Sequence, residues 1–269
     1  MKIAIAGKGG VGKTLVASGI AWTLARAGST TIAIDADPSP NLALALGITQ
    51  QEAEAIVPVS EQDEWIKKKT GTAFPGVYNL NFSVADLVRE LAVPTPAGAH
   101  LLIMGTVRSM GAGCTCPANS LIRNLLRHLI VDRSEAVVLD MEAGIEHLGR
   151  GTAECVEMMI VVSDANRQSL AVAGTIARMA QGAGIPRVML LGNRIRDDKE
   201  HEMISAFAEK NSIPMLGVIP YDPAVSGAGI SGEPVLSLDG TPAFLAIEEI
   251  TGTVAQVVSG NTCSRGGMT

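Results

Sequence analysis

A chain of 269 residues with 47% hydrophobic and 18% charged side chains is long enough to close one large core and too apolar to be disordered. Its net charge of −6 argues against a general nucleic-acid binder, which needs a basic face, and leaves room for a local basic patch. Aromatic residues make up only 3%, so the core has to be built from Ala, Val, Leu, Ile and Met.

The chain opens on Lys2-Ile3-Ala4-Ile5-Ala6, an apolar run short enough to be a buried strand. Gly7-Lys8-Gly9-Gly10-Val11-Gly12-Lys13-Thr14 follows, and then Leu15 to Ala27, a helix-forming run. Strand, glycine-rich loop, Lys-Thr and helix form a phosphate-binding pattern in the context that gives it a mechanism. Glycines let several backbone N–H groups converge on one anion, and the helix N-terminus adds partial positive charge there. Gly9, Gly10, Val11, Gly12, Lys13, Thr14 and Leu15 are therefore the candidate cofactor-binding residues. Lys13 is expected to reach the outer phosphates, and Thr14 to place its hydroxyl on Mg2+.

Thr30 to Ile34 reads as a second strand, ending in Asp35-Ala36-Asp37-Pro38. In extended backbone Asp35 and Asp37 would point to the same side, at the strand end where open α/β sheets place their chemistry. Asn41 is the expected cap of a short helix from Leu42 to Leu46. Acidic residues from Glu52 to Glu64 precede Lys67-Lys68-Lys69, the layout of a solvated helix or of a partner-binding surface. A short helix is expected from Val84 to Leu91. Pro94, Pro96 and Gly98 then break the chain before a strand from Leu101 to Met104.

Arg108 lies in the glycine-rich stretch before Cys114-Thr115-Cys116-Pro117, and Asn119 to Ile130 has the apolar stripe of a helix lying on a sheet. Ala136 to Leu139 is a strand ending in Asp140, the setting of a carboxylate that holds Mg2+ through water. Strands from Met158 to Val162, Arg187 to Leu191 and Met215 to Ile219 alternate with helices from Ser169 to Gly182, Glu200 to Lys210 and Pro242 to Val257. The strand from Arg187 ends in Gly192-Asn193-Arg194, and Asn193 at that end is placed to read a base edge. This alternation predicts an α/β fold, a single domain with a mostly parallel central sheet and helices on both faces. The domain is expected to cover residues 1–258, with 259–269 a loose tail. No leader sequence or membrane-spanning run is read, and four cysteines are too few for a disulfide framework, so a cytoplasmic location is expected.

Lys8 inside the loop makes GKGGVGKT, which resembles the deviant phosphate loop of the MinD, ParA and NifH class of dimeric ATPases. That resemblance implies ATP or ADP with Mg2+ as the cofactor, and a homodimer in which Lys8 reaches the partner's nucleotide. One more cation there would offset charge developing on the transferring phosphoryl group. Lys8, Lys13, Asp37 and Asp140 become the candidate catalytic residues, Asp37 by positioning the attacking water. Asn193 matches the adenine-reading asparagine, Pro220, Tyr221 and Asp222 the loop on the other side of the base, and Arg194 a flanking position.

Cys114 and Cys116 supply two soft thiolates, whereas a closed tetrahedral site takes four ligands. Two such pairs meeting on a two-fold axis would complete a site for Zn2+, Ni2+ or an iron–sulfur centre; the plain alternative is two inert thiols. From the loop through GAGCTCPAN and LDMEAGIEHLGRGT to LGNR and IPYD, the chain resembles the CooC family of nickel-insertion ATPases for carbon monoxide dehydrogenase. The resemblance implies Ni2+ or Zn2+ at Cys114 and Cys116, shared across the dimer, with nickel delivered to carbon monoxide dehydrogenase. The related AcsF proteins imply acetyl-CoA synthase as the client instead. A regulatory or partition-type ATPase without metal delivery is the other alternative. No nucleic-acid partner and no stable membrane insertion are expected. His147 is a weaker metal candidate, and Cys155 reads as a buried free cysteine.

Overall fold

The computed structural model describes residues 1–37, 41–62, 64–65, 84–105, 135–141 and 156–259. The expectations for Pro38, Lys67 to Lys69, Arg108, Cys114, Cys116, the helix at 119–130, His147, Cys155 and residues 260–269 lie outside them.

Eight strands form one sheet in the order β3-β4-β2-β5-β1-β6-β7-β8. They are β1 (Lys2–Gly7), β2 (Thr30–Asp35), β3 (Val93–Pro94), β4 (His100–Ile103), β5 (Glu135–Asp140), β6 (Met158–Ser163), β7 (Val188–Ile195) and β8 (Met215–Pro220). Every pairing is parallel except β3 with β4 at the edge. The small β3 was not legible because Pro94 reads as a breaker. A proline is tolerated on an edge strand, where its missing N–H costs no ladder bond.

The helices are α1 (Lys13–Arg26), α2 (Leu42–Ala45), α3 (Gln50–Ala55), α4 (Val84–Leu91), α5 (Arg167–Gly182), α6 (Asp198–Lys210), α7 (Pro223–Ser231) and α8 (Pro242–Ser259). Successive strand residues feed opposite faces, as a period of two requires. Ile3, Ile5, Val138, Ile160 and Val162 join Ile20 of α1 and Phe244 and Ile247 of α8 in one core. Ala4, Ala6, Leu139, Met159 and Val161 join Ile176 of α5 and Ile204 of α6 in the other. Both faces are covered, which is why the strands read as continuous apolar runs. At the end of α1, Arg26 lies 5.1 Å from the Trp22 ring centre and pairs with Asp239 and Glu248, tying α1 to the start of α8.

Several expectations need correction. Helix α1 begins at Lys13 rather than Leu15, because Gly12 in a left-handed conformation (φ +95°) already turns the chain into it. The Asn41 side chain makes no cap bond to α2; the N–H of Leu42 donates instead to Asp35 Oδ2 at 3.0 Å. β7 begins at Val188 and runs one residue past the expected Gly192-Asn193-Arg194 end, to Ile195. The last helix extends to Ser259, one residue into the expected tail. α7 was missed because its alanines, glycines and serines carry no apolar stripe, although Asp222 before Pro223 is a helix-start signal.

Candidate nucleotide site

The two neighbours of β1, β5 and β6, lead to opposite sides of the sheet, so the loop after β1 lies at the topological switch point. Its first glycine is held tightly: a Cβ on Gly7 would lie 2.4 Å from the Val162 carbonyl oxygen of β6. Lys13 is buried, and its Nζ donates to the Lys8 carbonyl at 3.4 Å, folding the ammonium back across the loop. Thr14 Oγ1 donates to Asp140 Oδ2 at 2.7 Å, joining residues that are 126 positions apart. Lys8 points elsewhere. Its Nζ donates to Gln168 Oε1 of α5 at 3.5 Å, on the exposed side of the loop.

β2 and β5 pair in a register that sets Asp35 beside Asp140. Burial pushes the Asp140 carboxyl up to about 7; the Thr14 hydroxyl and Lys13 pull it down, and the charges of Asp35 and Asp37 add to the rise. Burial likewise raises Asp35 to about 6, against the N–H groups of Leu42 and Asp37 that favour its ionised form. The strand stops at Asp35, and the Asp37 N–H turns back onto Asp35 Oδ1 at 3.1 Å. The two acids therefore do not share one face of an extended strand. Asp35 braces the turn and α2, while Asp37 is carried, partly exposed, beyond it.

The donor set fits a hydrated Mg2+. Asp140 Oδ1 is buried with no hydrogen-bond partner, beside a threonine hydroxyl, and a hard cation with bound water satisfies such an oxygen. Among the described residues no group of three His, Cys, Asp or Glu side chains is placed to bind a metal directly.

Across the loop, a shallow cleft is lined by Leu15, Asn193, Arg194, Pro220, Tyr221 and Asp222, all singled out in the sequence. Ile219, Val225, Ser226 and Ala243 complete the lining; they were missed because apolar and small residues carry no chemical signature. Asn193 is 1% exposed, and its Nδ2 donates to the Val11 carbonyl at 2.7 Å. Tyr221 is exposed at the rim, with the Arg196 guanidinium 5.0 Å from its ring centre.

Asp222 also braces two helix starts. Its Oδ1 accepts from Ala224 N–H at 2.9 Å and its Oδ2 from Ala243 N–H at 3.1 Å, so one buried carboxylate caps both α7 and α8. Losing two caps costs about 2 kcal/mol or more. Asp222→Ala is expected to lower the urea midpoint accordingly, and Asp222→Asn, which keeps one good acceptor, to lose about half as much. Equal midpoints for wild type and Asp222→Ala would refute the double cap.

The fold and the site define a P-loop ATPase of the MinD/ParA class, and comparison with known proteins agrees. Residues 2–235 match the CobQ/CobB/MinD/ParA nucleotide-binding domain, and the chain belongs to that family. Within it the chain falls in the CooC family: it is 39% identical over 234 residues to the carbon monoxide dehydrogenase accessory protein CooC of Rhodospirillum rubrum, covering 86% of this chain and 88% of that one. It is also 40% identical over 239 residues to an uncharacterised ATP-binding protein of Methanocaldococcus jannaschii, covering 87% and 91%. The fold is that of the MinD cell division protein of Aquifex aeolicus, with a TM-score of 0.68 at 19% identity over 94% of this chain and 95% of that one. MinD of Pyrococcus horikoshii, solved with Mg-ADP, superposes with a TM-score of 0.68 at 18% identity over 98% of both chains. No helix among the described residues is long and apolar enough to cross a membrane.

Proposed function

We propose that this ATPase works as a homodimer that carries nickel, or zinc in its place, at Cys114 and Cys116 of both protomers, and that ATP binding and hydrolysis drive delivery of nickel to carbon monoxide dehydrogenase. The observation that carries this reading is the similarity over most of both chains to an accessory protein named for that enzyme. The loop supports the dimer: the Lys8 ammonium lies on the exposed side at Gln168, where a facing protomer has access to it. Carbon monoxide dehydrogenase is preferred to acetyl-CoA synthase as client because it is the enzyme in the relative's name.

In this reading the loop N–H groups and Lys13 bind the phosphates, Leu15, Asn193 and Tyr221 enclose the base, and Arg194 flanks it. Bound Mg2+ neutralises charge on the outer phosphate oxygens. Thr14 and Asp140 hold the oxygen donors that orient the site. Asp37, beyond the buried pair, positions the attacking water, and Lys8 of the facing protomer stabilises the transferring phosphoryl group. Closure of the dimer then changes the spacing or exposure of the cysteine pairs, which couples the nucleotide cycle to the metal.

Two measurements test this. Equilibrium dialysis with Ni2+ is expected to show metal bound per dimer in the wild type and lost in Cys114→Ala; a variant that keeps the wild-type stoichiometry refutes the shared site. Lys8→Ala is expected to bind ATP normally but to lose turnover about 100-fold or more, as removal of one transition-state contact does. Undiminished turnover would refute catalysis by Lys8 across the dimer.

A further inference from the structure

β7 departs from regular geometry where it passes the phosphate loop. Its register with β8 shifts between Gly192 and Ile195. Inside that stretch Arg194 has φ +60°, a left-handed conformation that costs a side-chain-bearing residue about 1 kcal/mol or more. The Arg194 N–H donates to Asn193 Oδ1 at 2.9 Å, and its Nη1 donates to the Gly10 carbonyl, also at 2.9 Å. Asn193 Nδ2 holds the next carbonyl, that of Val11. Two successive carbonyls of the loop are thus gripped by two successive residues of one strand.

The consequence follows from peptide geometry. In a trans peptide the C=O and the N–H of the same unit point in opposite directions. A Gly10 carbonyl held towards β7 turns the Val11 N–H away from it, onto the Lys8 carbonyl at 3.4 Å, and a held Val11 carbonyl turns the Gly12 N–H away in the same manner. Gly10 and Gly12, with φ of +81° and +95°, supply the left-handed steps that a concave row of N–H groups needs. Fit is tight at this point: a Cβ on Gly12 would lie 2.3 Å from Asn193 Nδ2.

We propose that Arg194 is a positioning residue for phosphate binding: with Asn193 it clips the Gly10 and Val11 carbonyls from outside, and so fixes the turn of the loop and presents the Gly12 N–H to phosphate oxygens before nucleotide arrives. This rests on the reading of residues 7–14 as the phosphate site. It adds to the flanking of a base, because a clip on the loop acts on any ligand that carries the phosphates, with or without a base. The strain at Arg194 is then the local cost of a preorganised loop.

The test is calorimetric titration with Mg-ADP and with Mg-tripolyphosphate, which has no base, of the wild type and of Arg194→Ala, Arg194→Gly and Arg194→Lys. The Ala and Gly variants are expected to lose about tenfold in affinity for both ligands alike, the effect of one charge-assisted hydrogen bond. The Lys variant, which retains a cationic donor for the Gly10 carbonyl, is expected to recover part of the loss for both. A loss confined to Mg-ADP overturns the proposal and leaves Arg194 as a base contact. Wild-type affinity in Arg194→Gly also overturns it, since the guanidinium would then do nothing that the backbone does not. Should Arg194→Ala unfold, the Lys and Gly variants carry the same comparison. Wild-type protein that binds neither ligand refutes the phosphate-site reading itself, a separate failure.

Discussion

Asp140→Asn is expected to lose about 10- to 100-fold in Mg2+-dependent ATP turnover, the usual effect of removing a group that orients a metal's own ligands. The same substitution changes how stability depends on pH. Asp140 is raised to about 7 and Asp35 to about 6 in the folded protein, from ordinary carboxylate values of 3.8. A folded carboxylate raised in this way holds its proton more tightly than the unfolded chain does. Its contribution to stability is complete below about pH 4 and is lost as pH rises through the folded value. Without nucleotide or Mg2+, the stability contributed by this pair therefore falls between about pH 4 and pH 7. Because the Asp35 charge raises Asp140, the two contributions are not independent. Urea melts at pH 5, 6, 7 and 8 measure the slope. It is expected to flatten in Asp140→Asn, and also in wild type with saturating Mg-ADP, where the cation favours the ionised acids. A wild-type slope that survives both changes would show that the buried pair is not its source.

Gly12→Ala is the second large effect. The residue sits at φ +95°, and the new Cβ would lie 2.3 Å from the buried Asn193 amide. Left-handed backbone costs an alanine about 1–2 kcal/mol, and a forced shift of a packed side chain about 1–3 more. At this chain length roughly 3 kcal/mol lowers the melting temperature by about 6–12 °C. Nucleotide affinity is expected to fall with it, because Asn193 must release the Val11 carbonyl. Gly9 is the internal control: it has no left-handed φ, and nothing lies within 4 Å of an added Cβ. Gly9→Ala is expected to melt within about 1–2 °C of wild type, as an exposed substitution does. Equal melting of the two variants would refute the tight seat of Gly12 on Asn193.

Much of this architecture is written locally. β1, β5 and β6 are uninterrupted apolar runs, and such runs in a chain that also carries long helices such as α1 and α5 specify a covered parallel sheet. Boundaries were less legible at the functional ends. The expected helix began two residues after the real α1, and the expected strand end at Gly192-Asn193-Arg194 carried no sign of the register shift there, because glycine φ values and a β-bulge carry no hydrophobic period. α7 escaped for a related reason, since its face against the core is little more than Ala228.

By itself, the sequence determined which residues have the chemistry for a nucleotide: the loop, Lys13, Thr14, the acids that end their strands, and the side chains lining the base cleft. Those assignments depend on neighbours a few positions away, and short-range spacing records them. Only the tertiary structure decided what the acids and amides do. It set Asp35 against Asp140, so that burial raises both carboxyls. It directed both Asp222 oxygens to the N–H groups at two helix starts. It also brought Asn193 and Arg194 onto loop carbonyls 182 and 184 positions away. Contacts at that separation come from the order of strands in the sheet, and no local pattern of residues encodes which strand end will face which loop.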